Sequence, residues 1–181
     1  MADKFGIEKI IEQSCATLRD NMLYEHAYWT KDNRVSPIEA LFMSAFHNAT
    51  YLHGHGYHLR LAIKDNCDPA TNREITITFQ EKIDIYKADH VIRYRGLKIV
   101  VECDGHEFHS RTKEQAQHDR ARDRRMQALG FIVLRFTGAE LYRDGMRCAK
   151  EVMALISEFR AKAEMIEDEA RRSTKASGEH K

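Results

Sequence analysis

Apolar residues recur at helical spacing from the start of the chain. Ile7, Ile10, Ile11, Cys15, Leu18 and Met22 share one face and predict an amphipathic helix over about residues 4–28. Ser36-Pro37-Ile38-Glu39 is a second helix start, with an N-cap serine, a proline at the first helical position and a capping-box glutamate. That helix carries Leu41, Phe42, Ala45 and Phe46 toward Gly54. The period then shortens to two. Residues 57–63 read as a strand and residues 64–72 as a polar loop, while Ile75, Ile77 and Phe79 alternate with polar neighbours as in a half-buried strand.

Two further apolar runs flank Arg95-Gly96, where glycine at the second central position suits a two-residue hairpin turn. Residues 112–129 form a helical stretch closed by Gly130, and residues 131–136 another strand. Ala149, Val152, Met153, Ile156 and Phe159 mark a last packing helix. Its apolar face fades from Glu164, and residues 173–181 are expected to be a frayed tail. This order predicts an α/β or α+β fold, a mixed central sheet flanked by helices. The expected organisation is an N-terminal helical segment (1–35), a core (36–145), a packing helix (146–172) and the tail.

Composition narrows this picture only a little. With 181 residues and 43% hydrophobic content, the chain can bury one real core. A formal net charge of +1 announces no polyanionic partner, so any nucleic-acid surface must come from local segregation of charge. Cys15, Cys67, Cys103 and Cys148 form no CxxC pair, which fits free thiols in a reducing compartment. There is no signal pattern and no membrane-length apolar run, so a soluble, cytoplasmic protein is expected. Monomer and homodimer both stay open.

The chemistry gathers at the end of the strand around Val100. Glu102-Cys103-Asp104-Gly105 closes an apolar run, and Asp89 lies thirteen residues before Glu102. If Arg95-Gly96 is the turn, Tyr94 faces Leu97 and Asp89 falls opposite Glu102, where like charges repel unless a cation joins them. Asp104 shares the face of Glu102. A solvated strand end accounts for the same residues, and a slip of one position would separate the carboxylates. His106 and His109 follow directly, and a neutral imidazole beside a metal site can take a proton from water. Glu39 is explained by its capping box, with a second role as an acidic group at a helix end beside the sheet.

Between Arg111 and Arg125 stand six Lys or Arg residues against three Asp or Glu. Arg120, Arg124 and Arg125 form either a solvated face or a phosphate-contacting helix. His53, His55 and His58 could hold zinc, although a polar turn explains them more simply.

Taken together these residues resemble the PD-(D/E)XK nuclease superfamily, in particular its very-short-patch-repair-like endonuclease domains. The resemblance runs from Ser36 to about Asp144. It is carried by Ser36-Pro37-Ile38-Glu39, Ala88-Asp89, Val101-Glu102-Cys103-Asp104-Gly105 with His109, Asp119-Arg120-x-x-Asp123-Arg124, and Gly130-Phe131-x-Val133-Leu134-Arg135-Phe136. It implies a restriction-endonuclease-like fold with Asp89 and Glu102 as metal-binding carboxylates, Glu39 directed toward them, and His109 near the water or scissile phosphate. Ala88 replaces the motif proline. Asp104 replaces the motif lysine and leaves the water-activating cation unidentified.

The expectation is therefore a Mg²⁺- or Mn²⁺-dependent DNA endonuclease. Asp89, Glu102 and the Cys103 carbonyl would bind metal, with Asp104, His109 and Glu39 beside them. Arg111, Lys113, Arg120, Arg124, Arg125 and Arg135 are the candidates for DNA contact. An inactive DNA-binding module on the same fold and a histidine-centred zinc hydrolase are the alternatives.

Overall fold

The computed structural model describes residues 35–53, 58–62, 74–105 and 112–178, together with Ala16, Asp20, Asp68 and Thr71. The helix expected over residues 4–28 lies outside the described residues apart from Ala16 and Asp20, both helical. Helix α1 (Pro37–His53) is followed by β1 (His58–Ala62), β2 (Glu74–Ile83), β3 (Tyr86–Tyr94) and β4 (Leu97–Asp104). Helix α2 (Lys113–Ala128), β5 (Ile132–Thr137) and helix α3 (Gly138–Gly178) complete the order. The five strands form one sheet in the order β1-β2-β3-β4-β5. Its outer pairs, β1 with β2 and β4 with β5, are parallel, and the two inner pairs are antiparallel. The protein is an α+β fold with a mixed sheet.

The hairpin register follows from its turn. Arg95 (φ 48°) and Gly96 (φ 88°) are both left-handed, as a type I′ turn requires, and Tyr94 pairs with Leu97. Pairing then runs outward in step as far as His90 and Val101.

One face of the sheet packs against α1 and α3 through Phe42, Phe46, Ile77, Ile92, Ile99, Val101, Val152 and Ile156. The other face is smaller, with Val91, Val100, Met126 and Phe131 beneath α2. Helix α2 is held at its start by a capping box of Thr112 and Gln115, and the chain leaves it through Gly130 (φ 82°).

Two readings of the sequence change. Strand β2 is not half-buried, because Thr76, Thr78 and Glu81 are as enclosed as Ile75 and Ile77. Both of its faces are covered, and Glu81 is neutralised there by a two-pronged guanidinium from Arg93. The last helix begins at Gly138 and continues to Gly178, past Ser173, with a break at Asp144 (φ −159°, ψ 73°). Beyond Phe159 its side is mostly solvent-facing, as Met165 and Ile166 show, and Glu167 pairs with Arg95 at the hairpin turn.

Candidate active site

The sheet forks where β3 stops pairing with β4. Beyond His90 and Val101, β3 stays with β2 down to the Ile83–Tyr86 pair, while β4 continues along β5 through Asp104 and Thr137. Asp89, Glu102 and Asp104 stand at that fork. The Asp89 carboxylate takes over the ladder, with its Oδ2 accepting the Cys103 backbone N–H at 2.8 Å. Asp89 is thereby fixed between the two strands, and the register places it at the position facing Glu102.

The carboxylates sit in poor solvent contact and close to one another. Burial, followed by repulsion from Asp89, pushes Glu102 up to about 8, and the Arg122 and Arg135 charges do not offset this. Burial also raises Asp89, against the pull of the Cys103 N–H and Arg122. Glu39 is raised by burial and then by Asp89, which brings the helix α1 carboxylate into the same cluster. Ser36 caps α1 as expected: its hydroxyl accepts the Glu39 N–H at 3.4 Å and donates to Glu39 Oε1 at 2.9 Å.

Gln80 ties the cluster together. Its Nε2 donates to Glu39 Oε2 at 2.8 Å and to Asp89 Oδ1 at 3.4 Å. Its backbone is left-handed (φ 49°), an uncommon state for a residue with a side chain, and the regular β2–β3 pairing skips it. Counting outward from the Ile83–Tyr86 pair places Gln80 opposite Asp89.

Two guanidiniums face the carboxylates from the α2 side. Arg122 Nη2 donates to Glu102 Oε1 and, at 2.7 Å, to the Lys87 carbonyl. Arg135 grips Asp123 with Nε and Nη2 at 3.0 and 2.8 Å, and its Nη1 reaches Asp104 Oδ1 at 3.2 Å. Arg122 was not singled out from the charge pattern. A usable signal was that Met126, the buried residue of α2, lies one turn after it, so Arg122 shares the inward face.

Below the carboxylates, His90 is fully enclosed between Phe42 and Phe79, with ring centroids 5.1 and 5.3 Å away. Burial lowers it to about 3, so it is a neutral floor. Its Nδ1 lies 3.9 Å from Cys103 Sγ, and burial with the surrounding carboxylates holds that thiol protonated. Cys103 thus meets the site through its backbone.

Of the remaining candidates, Lys113, Arg120, Arg124 and Arg125 are exposed on α2, and Arg125 bonds Asp84 at 2.7 Å. His106, His109, Arg111 and His55 lie outside the described residues. Among the described residues, no three His, Cys, Asp or Glu side chains form a ready-made metal cluster. The donor chemistry nevertheless suits a hard divalent cation, since the fork offers carboxylate oxygens that repel each other in a poorly solvated place.

The family model REase_MTES_1575, of the restriction-endonuclease-like type, matches residues 51–156. The chain belongs to this restriction-endonuclease-like family. That span contains the fork, helix α2 and both guanidiniums, while Glu39 precedes it. No curated protein and no solved structure matches the chain. Among the described residues, no helix is long and apolar enough to cross a membrane.

Proposed function

We propose that the protein is a divalent-metal-dependent DNA endonuclease of the very-short-patch-repair-like kind, working at the β3–β4 fork. The observation that carries this reading is the set of three carboxylates at the end of paired strands, with Asp89 locked by the Cys103 N–H and Glu102 pressed against it in a poorly solvated place. Asp89 and Glu102, with the Cys103 carbonyl, would hold Mg²⁺ or Mn²⁺. Such an ion supplies Lewis-acid polarisation of the scissile phosphate and makes water more acidic.

The chain's own residues do the rest. Asp104, aimed by Arg135, orients the attacking water. Glu39 acts through Gln80 to fix Asp89. His109 receives or delivers the proton, a role an imidazole can take at neutral pH. Arg111, Lys113, Arg120, Arg124 and Arg125 supply backbone phosphate contacts, so DNA is the partner. Arg135 serves this reading as a positioning group, because its donors already engage Asp123 and Asp104.

The test is cleavage of supercoiled, linear, nicked, mismatched and single-stranded DNA with and without Mg²⁺ or Mn²⁺. Wild type should cut at least one substrate only with metal, and Glu102→Ala should abolish cutting while retaining DNA affinity. Metal-independent binding with no cleavage on any substrate would instead identify a DNA-binding module.

A further inference from the structure

We propose that Arg122 is an internal counter-cation of this site: its guanidinium holds Glu102 while no divalent ion is bound and is released to the scissile phosphate when one is. The inference rests on the nuclease reading and adds to it the cation that Asp104, standing in the lysine position, does not provide.

Three arginine–carboxylate pairs around the same sheet show why Arg122 is the movable one. Arg93 meets Glu81 with two parallel donors, and Arg135 meets Asp123 in the same forked way. Arg122 uses a single nitrogen for both of its bonds, to Glu102 and to the Lys87 carbonyl. Its Nε–H is buried with no acceptor among the described residues. A guanidinium with a spare buried donor beside its engaged one is half of a phosphate fork. A phosphate oxygen could satisfy Nε while the Lys87 carbonyl keeps Nη2 in place.

Charge balance gives the trigger. Glu102 is buried and faces Asp89, and Arg122 is the guanidinium bonded to it. Asp89 and Glu102 would hold a divalent ion, which would supply more positive charge than one guanidinium. Glu102 would then release Arg122, whose donors would be left to an incoming phosphodiester.

The experiment compares the full-length wild type, Arg122→Ala and Arg122→Lys. Mn²⁺ affinity is measured calorimetrically without DNA, and single-turnover plasmid cleavage at saturating Mn²⁺. Arg122→Ala should bind Mn²⁺ on the order of tenfold more tightly, the worth of one hydrogen bond to a charged group no longer competing for Glu102. The same variant should cleave on the order of 10²–10³-fold more slowly, as when one donor to developing negative charge is removed. A structural prop would move both quantities toward weakness, so the opposite signs are diagnostic. Unchanged or weaker Mn²⁺ binding, or wild-type cleavage, by a folded Arg122→Ala overturns the proposal.

If circular dichroism shows Arg122→Ala unfolded, Arg122→Lys decides. An ammonium keeps the charge but not the fork, so Mn²⁺ affinity should stay near wild type while cleavage falls about tenfold or more. Full-rate cleavage by Arg122→Lys overturns the proposal. A wild type that binds no Mn²⁺, or binds it without cutting, sinks the nuclease reading as well. A wild type that binds and cuts confines any failure to Arg122.

Discussion

Two arginine–glutamate pairs meet at the same sheet, one buried within it and one half-buried beneath helix α2, and they are built to opposite ends. Arg93 and Glu81 are both almost fully enclosed and share a two-pronged contact, and Arg93 Nε also lies 3.7 Å from Asp68 Oδ1. Arg122 and Glu102 are joined through one nitrogen, with an idle Nε and with Asp89 pressing on the same carboxylate. The first pair satisfies itself. The second balances charge only partly, and that shortfall is what an ion or a phosphate can fill. A buried ion pair is therefore informative by its unsatisfied atoms more than by its presence.

The sharpest break of the comparison is at the self-satisfied pair. Glu81→Ala leaves the buried Arg93 without its two-pronged partner and with the longer contact to exposed Asp68, and should cost about 3–5 kcal/mol by chemical denaturation, whereas Glu81→Leu with Arg93→Met should recover most of it. A loss below about 1 kcal/mol for Glu81→Ala would mean that this pair is no better built than the one at the fork.

Titration gives the next largest effect. Glu102 ionises at about 8 when folded and near 4.5 otherwise, so the folded protein holds an extra proton across that window and stability falls as pH rises through it. Asp89 and Glu39, both raised, add to the fall above their ordinary carboxylate values. His90 acts in the other direction. Lowered from 6.5 to about 3, it makes the unfolded chain take up the extra proton as pH drops between those values. Without metal, the two trends should oppose each other between about pH 4.5 and 6.5. Above that, stability should fall by on the order of a few kcal/mol by pH 8. His90→Gln should extend the fall down toward pH 4.5. Stability that rises between pH 6.5 and 8 in EDTA would contradict the burial of Glu102.

Metal should erase part of that difference between the pairs. Mn²⁺ should raise the melting temperature of wild type by several degrees more than that of Asp89→Asn, which keeps an acceptor for the Cys103 N–H but loses the charge. It should leave the cost of Glu81→Ala unchanged. Equal Mn²⁺ shifts in wild type and Asp89→Asn would remove Asp89 from the site. The smallest effect is expected on the outer surface of α2. Arg120→Ala with Arg124→Ala should flatten the salt dependence of DNA binding by about one unit of slope per lost contact, roughly uniformly across sequences. An unchanged slope would make these two a solvated face.

The hairpin and its register were legible because Arg95-Gly96 admits one tight turn, and that turn fixes every pair outward to His90 and Val101. The placement of Asp89, Glu102 and Asp104 near one another came with it. What could not be read was which arginine turns inward. The six basic residues from Arg111 to Arg125 look alike in the sequence until Met126 docks and sets the rotation of α2, which carries Arg122 toward Glu102. The burial of Thr76, Thr78 and Glu81 was equally hidden, because alternation reports one covered face and here both are covered. His90 reads as one polar residue in a strand, yet Phe42 and Phe79 arrive from distant sequence to enclose it.

Gln80 carries a consequence for how this chain can change over generations. Its left-handed backbone costs about 1–2 kcal/mol, which glycine would avoid, while its amide is what joins Glu39 to Asp89. Selection for heat tolerance alone would favour Gln80→Gly, and selection for a well-aligned carboxylate cluster would refuse it. A lineage that keeps glutamine here is under pressure to keep the site working. One that drifts to glycine has exchanged alignment for stability, and this single position would record that exchange.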